Sequence, residues 1–169
     1  MHIQEQKKIF DAWLRDHKNL LFKVLRSYAF TPQDQEDLFQ EIVIQVWRSV
    51  PNYKGDSAVT TWLYRVALYS AIAWSRQEKK HRDGKHALDG FEHVLTVKVD
   101  VQDHRLDWLY AQIRQLDEID RSVMLLFLDG FRYKEMARVL GISESHVGVK
   151  INRIKKYLMD QLKEAGDEL

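Results

Sequence analysis

Apolar side chains recur at helical spacing along most of this chain. From Phe10 to Tyr28 they fall three and four residues apart, and the polar residues Asp16 to Asn19 interrupt the run. A second stripe starts after Thr31, a capping hydroxyl that Pro32 follows in the first turn. This stripe consists of Leu38, Ile42, Val46 and Val50. The spacing predicts one or two core helices and then a helix that ends near Pro51.

The same pattern continues after a polar turn that contains Gly55. A helix is predicted from Trp62 to roughly Lys80, and the residues from Glu78 to Asp103 then lose helical periodicity. Val97, Val99 and Val101 alternate with polar residues like a short strand. One strand without a visible partner is more plausibly an extended tether, so this segment is interpreted as a linker.

Helical spacing returns in the last third of the chain. The next stripe consists of Leu106, Leu109, Tyr110, Ile113 and Leu116. Asp117 is suited to cap a following helix, which Asp129 and Gly130 would stop. The pattern therefore predicts a second helical domain that begins with this stripe.

The stretch from Gly130 to Leu158 predicts two helices joined by a tight turn. Gly141 interrupts the first apolar face, and Ser143 is a suitable N-cap for the second helix. That helix carries a stripe expected to be buried, Val147, Ile151, Ile154, Leu158 and Leu162. Its other side carries His146, Lys150, Asn152, Arg153 and Lys156. A helix-turn-helix would offer these cations and amides to a DNA major groove, whereas an ordinary helical hairpin would leave them solvated.

These elements predict an all-α protein of two small helical domains joined by a flexible linker. The predicted first domain spans residues 1–80, the linker 81–103, and the second domain 104–169. A chain of 169 residues with two prolines and abundant helix-forming residues fits this class.

The charge balance limits the kinds of partner. The formal net charge is only +1, so a nucleic-acid surface must be local and balanced by acidic segments. There is no cysteine, which excludes disulfides and thiolate zinc sites. The N-terminal residues lack a signal-peptide core, and no apolar run approaches membrane-spanning length. A cytoplasmic protein with no membrane insertion of its own is expected.

Two surfaces suggest binding. Asp37, Gln40 and Glu41 share one face of the third predicted helix, where they could dock a basic partner, although carboxylates near a helix start more commonly compensate the helix dipole. The helix after Gly55 interleaves aromatic rings with arginines, which suits single-stranded DNA. Spacing assigns most of these rings to the core and leaves Tyr64, Arg65 and Tyr69 undecided.

Catalytic chemistry finds no support in the sequence. His81, His86 and His93 lack a carboxylate or cysteine at ligand spacing, so solvated loop histidines are expected rather than a metal site. No nucleophile turn or phosphate-binding glycine loop is present. We therefore expect no catalytic residue, no metal and no cofactor.

Three stretches together resemble the extracytoplasmic-function sigma factors of bacterial RNA polymerase. The run DLFQE at 37–41 is similar to the family's polymerase-binding helix, and GDSAVTTWLYRVA at 55–67 is similar to its minus-ten recognition loop and melting helix. The residues from Leu116 to Gly130, followed by YKEMARVLGIS, resemble its minus-thirty-five domain. The resemblance covers nearly the whole chain.

The resemblance implies roles for particular residues. The implied partners are promoter DNA, an anti-sigma factor and core polymerase. Core polymerase would be contacted at its beta-prime clamp helices and its beta flap. The minus-ten pocket would be lined by Asn52, Tyr53, Lys54, Gly55, Asp56, Ser57, Thr60 and Thr61. On the melting helix, Tyr64, Arg65 and Tyr69 are expected to add further contacts to minus-ten DNA. Trp62 would anchor this loop from below. Minus-thirty-five contacts would come from Gly148, Val149, Lys150, Asn152 and Arg153. His146 and Lys156 on the same helix are expected to add further contacts to this element.

The chain departs from the family pattern at several positions. Val59 stands where the family usually has an aromatic residue, and Tyr69 where it often has Asn. Gly148 and Val149 replace a basic residue and Ser, and Lys150 replaces a frequent Arg. Arg132 also replaces the usual capping Ser or Thr. A promoter sequence is therefore not predicted.

Two functions remain to be distinguished. A sigma factor would bind core polymerase tightly and would open promoters only in that complex. A helix-turn-helix regulator with a sensing or dimerising N-terminal half would instead bind its operator by itself.

Overall fold

The computed structural model describes residues 1–81 and 103–166, and the side chains of residues 79–81 lie outside that description. Contacts divide the chain into two units, Met1–Thr96 and Val97–Leu169. Every regular element in the described ranges is helical. The predicted all-α class with two helical domains is confirmed.

The first unit contains four α-helices and a short 3-10 turn. They are α1 (Ile3–Asp16), α2 (Lys18–Tyr28), α3 (Pro32–Ser49), the 3-10 turn (Val50–Asn52) and α4 (Val59–His81). His17, between α1 and α2, leaves the helical region with φ −121° and ψ 21°. The predicted interruption at Asp16 to Asn19 thus separates two helices.

Local chemistry explains where α3 begins. The Thr31 hydroxyl accepts a hydrogen bond from the Asp34 backbone N–H at 3.1 Å, and Pro32 occupies the first turn, where its missing N–H is not needed. Both features are those that the sequence predicts.

The core of the first unit lies where α3 and α4 pack on each other and on α2. Leu38, Ile42 and Val46 of α3 and Leu63 and Ala67 of α4 are fully buried. Burial of each large apolar side chain stabilises the fold by about 1.5–3 kcal/mol, so this contact fixes the relative positions of α3 and α4.

The second unit contains α5 (His104–Gln115), α6 (Glu118–Leu128), α7 (Tyr133–Leu140) and α8 (Glu144–Ala165). Asp117 accepts from the Asp120 N–H at 2.8 Å and Ser143 from the His146 N–H at 3.1 Å, so both predicted caps are confirmed. At the start of α7 the Glu135 carboxylate accepts from the Arg132 backbone N–H at 3.1 Å. This bond supports the helix start although Arg132 is not a hydroxyl residue.

One residue of the apolar stripe predicted for α8 is exposed. Val147, Ile151 and Ile154 are buried as expected, but Leu162 is 41% exposed. The eight residues of α7 extend about 12 Å, whereas the 22 residues of α8 extend about 33 Å. The end of α8 therefore runs past α7, and the prediction that Leu162 is buried was wrong.

Some predictions fall outside the described residues. The proposed linker at 81–103 does so except for its first and last residue, as does the strand-like run from Val97 to Val101. No described helix has the length and apolar content needed to cross a membrane.

Candidate nucleic-acid interface

The α3 residues expected to bind polymerase form an accessible face. Asp37 and Gln40 are exposed and Glu41 is half-buried, while the stripe of α3 that begins with Leu38 faces the core. The Gln45 side-chain amide donates to Glu41 Oε1 at 2.9 Å, which restricts this carboxylate to one orientation. The face therefore presents two carboxylates, one of which is held in place.

The loop between α3 and α4 is polar and open to solvent. Asn52, Lys54, Gly55 and Asp56 are exposed, and Gly55 has a φ of 79°, which favours glycine. Ser57 and, in the first turn of α4, Thr60 and Thr61 are half-buried. The residues predicted to line the minus-ten pocket thus occupy one loop and the first turn of the helix after it, and each is exposed or half-buried.

Aromatic rings support this loop from inside. The Tyr53 ring lies 5.3 Å from that of Trp13 and 5.6 Å from that of Trp62. The Trp62 indole N–H donates to Ser49 Oγ at 3.1 Å, and the Tyr53 hydroxyl donates to the Ser57 carbonyl. Trp62 therefore anchors the loop as expected. Tyr53 belongs to the same anchor, so its ring is better placed to hold the loop than to stack on a base.

The three residues of α4 that spacing left undecided differ clearly in their exposure to solvent. Tyr64 is 1% exposed, because it lies in the middle of the face that α4 buries together with Leu63 and Ala67. The prediction that Tyr64 contacts DNA is therefore corrected: its ring is part of the core. Tyr69 is 44% exposed, and the Arg65 guanidinium carbon lies 5.7 Å from the centre of its ring. Arg65 and Tyr69 thus form an exposed cation and ring pair.

A cavity of about 400 Å³ lies between α3 and α4. Glu41 and Gln45 line it from α3, and Tyr69, Trp74 and Gln77 are among the α4 residues that line it. The same cavity is therefore lined by Glu41, which is expected to bind polymerase, and by Tyr69, which is expected to bind DNA. Trp74 was assigned to the core from its spacing, and no sequence signal indicated that its half-buried ring lines a cavity.

In the second unit, α7, the turn and α8 form the predicted helix-turn-helix. Gly141 has a φ of 67°, and its N–H and that of Ile142 both donate to the Ala137 carbonyl, which closes the turn. On α8 the side chains opposite the buried stripe are exposed. These are His146, Val149, Asn152, Arg153 and Lys156.

Three of the residues predicted to contact the minus-thirty-five element have contacts inside the unit, and one of them, Arg153, places a terminal nitrogen 2.9 Å from Asp120 Oδ2. The Lys150 ammonium lies 2.8 Å from Asp120 Oδ1, and the Lys150 side chain is only 12% exposed. This cation belongs to the contact between α6 and α8, so the structure does not present Lys150 for the predicted contact with DNA. Gly148 is half-buried beside Tyr133, and a Cβ at position 148 would lie 3.6 Å from that ring.

Clusters of metal-ligating side chains are absent from the described part of the chain. The described residues contain no group of three or more His, Asp or Glu side chains that could hold an ion. His86 and His93, considered in the sequence, lie outside the described residues, as does the side chain of His81.

Comparison with protein families gives two matches. Residues 13–81 match the model for sigma-70 region 2, and residues 106–158 match the model for sigma-70 region 4. Together the two matches cover more than half of the chain. They correspond to the two units and contain the α3 face, the α3–α4 loop and α4 in one, and the helix-turn-helix in the other.

Individual proteins are similar over nearly the full length. A protein of Bacillus subtilis (strain 168), described as "ECF RNA polymerase sigma factor SigX", is 29% identical over 171 residues, covering 95% of this chain and 85% of the relative. A solved structure of CnrH in complex with the cytosolic domain of CnrY has a TM-score of 0.64 at 21% identity, covering 94% of this chain and 90% of the matched chain. A structure of the Bartonella quintana sigma factor RpoE in complex with the anti-sigma factor NepR has a TM-score of 0.59 at 21% identity, covering 89% and 98%. At this identity the two structural likenesses concern the fold.

Proposed function

This chain belongs to the extracytoplasmic-function sigma factors, and from that premise we propose how its two units divide the work of initiation. A sigma factor of this family binds core RNA polymerase and directs transcription initiation at specific promoters. We assign polymerase docking and minus-ten strand capture to the first unit, and minus-thirty-five readout to the second. The family is one of non-catalytic initiation factors, so we propose that this chain is not itself an enzyme and acts in the cytoplasm.

The observation that carries the docking proposal is the acidic face of α3. The carboxylates of Asp37 and Glu41 lie one helical turn apart on the side away from the core, and Gln45 orients one of them. Preoriented carboxylates lose less side-chain entropy when they pair with cations. This face therefore suits a basic surface such as the one we propose on the beta-prime clamp helices.

Strand capture is assigned to the α3–α4 loop and the outer face of α4. Asn52, Lys54 and Asp56 offer polar groups for the edge of an extruded base, and Thr60 and Thr61 offer hydroxyls. Arg65 and Tyr69 add a cation for phosphate and a ring for stacking, which together suit single-stranded DNA. The Tyr53 and Trp62 anchor keeps the loop in one conformation, which lowers the cost of capture.

Upstream readout is assigned to the exposed face of α8. The Asn152 amide is suited to pair with adenine, and the Arg153 guanidinium with guanine or phosphate. Lys156 is suited to phosphate. The second unit would also contact the beta flap.

A further proposed partner is an anti-sigma factor. A neighbour in fold, RpoE of Bartonella quintana, was solved with one. Ile44 and Leu128 are 44% and 45% exposed, so apolar contact area is available on both units. Titration of a purified candidate inhibitor into run-off transcription tests this proposal, and an unchanged transcript yield at excess inhibitor would rule that candidate out.

The docking proposal has a direct test with a matched control. Asp37→Lys combined with Glu41→Lys should weaken recovery of core polymerase in a pull-down by about tenfold or more, equivalent to about 1.4 kcal/mol. The control carries the same change in net charge on α1, where Glu5 and Asp11 are exposed. Glu5→Lys combined with Asp11→Lys should recover core polymerase as the native chain does. Equal recovery of all three proteins would remove the docking proposal.

A further inference from the structure

A buried carboxylate on α6 holds two cations of α8. Asp120 is 6% exposed; its Oδ1 lies 2.8 Å from the Lys150 ammonium, and its Oδ2 lies 2.9 Å from a terminal nitrogen of Arg153. Each carboxylate oxygen thus has its own cation. Lys150 and Arg153 are three residues apart on α8, so Asp120 contacts one side of this helix over almost one turn.

The two cations differ in how much of each side chain remains accessible. The Lys150 side chain is 12% exposed and that of Arg153 is 61% exposed. Removing one partner of a buried ion pair leaves an uncompensated charge, so Lys150 is held at Asp120. A guanidinium carries five N–H donors in one plane, so Arg153 can bond Asp120 and still present other donors to a ligand.

The rest of the exposed face of α8 is then well defined. Val149, Asn152 and Lys156 follow one another at offsets of three and four, opposite the buried stripe, and Arg153 lies between them and Asp120. Val149 is 63% exposed, and an aliphatic side chain there suits the methyl group of thymine. Only one of the two cations held by Asp120 borders this face.

We propose that Asp120 is a positioning residue for promoter specificity, because it withholds Lys150 from DNA and fixes the plane of Arg153. Lys150 in the groove would add a sequence-independent phosphate contact. Arg153 without a fixed plane would lose its geometric selectivity, which depends on a planar pair of donors. This inference rests on the proposed role of α8 in reading the upstream promoter element.

The test compares holoenzymes on two promoters that differ only in an intact or scrambled upstream element, over a range of salt concentrations. Asp120→Asn keeps the shape of the side chain and removes its charge. We expect the ratio of the affinity for intact DNA to the affinity for scrambled DNA to fall about fivefold or more. A fivefold loss is about the lower end of the range expected when one base contact is lost. The slope of log affinity against log salt should become steeper by about 1 for each cation released to phosphate.

A second variant separates positioning from simple support of the fold. Lys150→Met in the native background leaves Asp120 paired with Arg153, so both the ratio and the salt slope should stay as in the native chain. Asp120→Asn combined with Lys150→Met should return the slope toward the native value. A merely structural role for Asp120 would lower stability and leave the salt slope unchanged, and that result would overturn the inference.

The outcomes also separate this inference from the function on which it rests. If the native holoenzyme binds intact and scrambled upstream DNA equally, the role of α8 in readout fails. If the native ratio is large but Lys150→Met lowers it as much as Arg153→Ala does, Lys150 contacts DNA, and only the role of Asp120 fails.

Discussion

Two glycines of the helix-turn-helix have different physical roles. Gly141 has a φ of 67°, in the left-handed region, where a Cβ costs about 1–2 kcal/mol. Gly148 lies inside α8 with no such requirement, and a Cβ there would meet the Tyr133 ring at 3.6 Å, an ordinary contact distance. The turn requires the conformation of the first glycine, whereas the backbone conformation at the second does not require a glycine.

Gly148→Ala should therefore stabilise α8 by about 1 kcal/mol, the difference in helix propensity between glycine and alanine. Native-state hydrogen exchange of the α8 amides in the full chain measures this, and exchange should slow about fivefold. Gly141→Ala is the control and should accelerate exchange. Faster exchange in Gly148→Ala would show that the space beside Tyr133 is closed to a methyl group.

The Trp62 anchor gives a second prediction at this scale. Trp62→Phe keeps a ring beside Tyr53 but removes the N–H that donates to Ser49 at 3.1 Å. The free energy of unfolding, measured with urea, should fall by about 1 kcal/mol. Ser49→Ala should cost a similar amount, and the double variant should cost less than the sum. Full additivity of the two changes would mean that this hydrogen bond does not contribute.

At the scale of elements, helix starts are set by single polar side chains. Thr31, Asp117 and Ser143 each accept a hydrogen bond from a backbone N–H three residues later. These bonds satisfy donors that the first turn of a helix leaves free. The start of α8 matters most for function. The Ser143 cap accepts its hydrogen bond from the N–H of His146, and His146 lies on the exposed side of α8.

Ser143→Ala should destabilise α8 by about 1 kcal/mol through loss of its cap. Ser143→Asp should retain the cap and the native stability, since a carboxylate accepts the same bond and suits the positive end of the helix dipole. Thermal unfolding followed by circular dichroism compares the two variants. Equal melting temperatures for Ser143→Ala and the native chain would exclude a contribution from this cap.

Helices were predictable from the sequence because their causes are local. Apolar spacing and the three caps lie within a few residues of the features they determine. The contact of Asp120 with Lys150 joins positions 30 residues apart, so spacing on α8 alone could not show that Lys150 faces α6. The position of Tyr64 was ambiguous for a related reason. The sequence shows an aromatic residue next to an arginine, and this pattern is the same whether the ring is buried or exposed.

At the scale of the whole molecule, the total charge is nearly balanced, but acidic and basic side chains lie on different surfaces. The net charge is +1, yet an exposed and a half-buried carboxylate share one face of α3 in the first unit, and cations are exposed on α8 in the second. Surface cations on α8 attract any DNA, whereas the α3 face repels it and suits a basic protein surface. We therefore expect weak DNA binding by the isolated chain and specific binding when polymerase is attached.

Run-off transcription with purified core polymerase on a promoter library tests this account most directly. The account predicts transcripts from a defined subset of promoters only when core polymerase and this chain are both present, and weak binding of the same promoters by the chain alone. It also predicts loss of those transcripts with Asp37→Lys and Glu41→Lys combined. Tight binding of a duplex operator by the chain alone, with no transcript above core polymerase, would contradict the account and favour a stand-alone helix-turn-helix regulator.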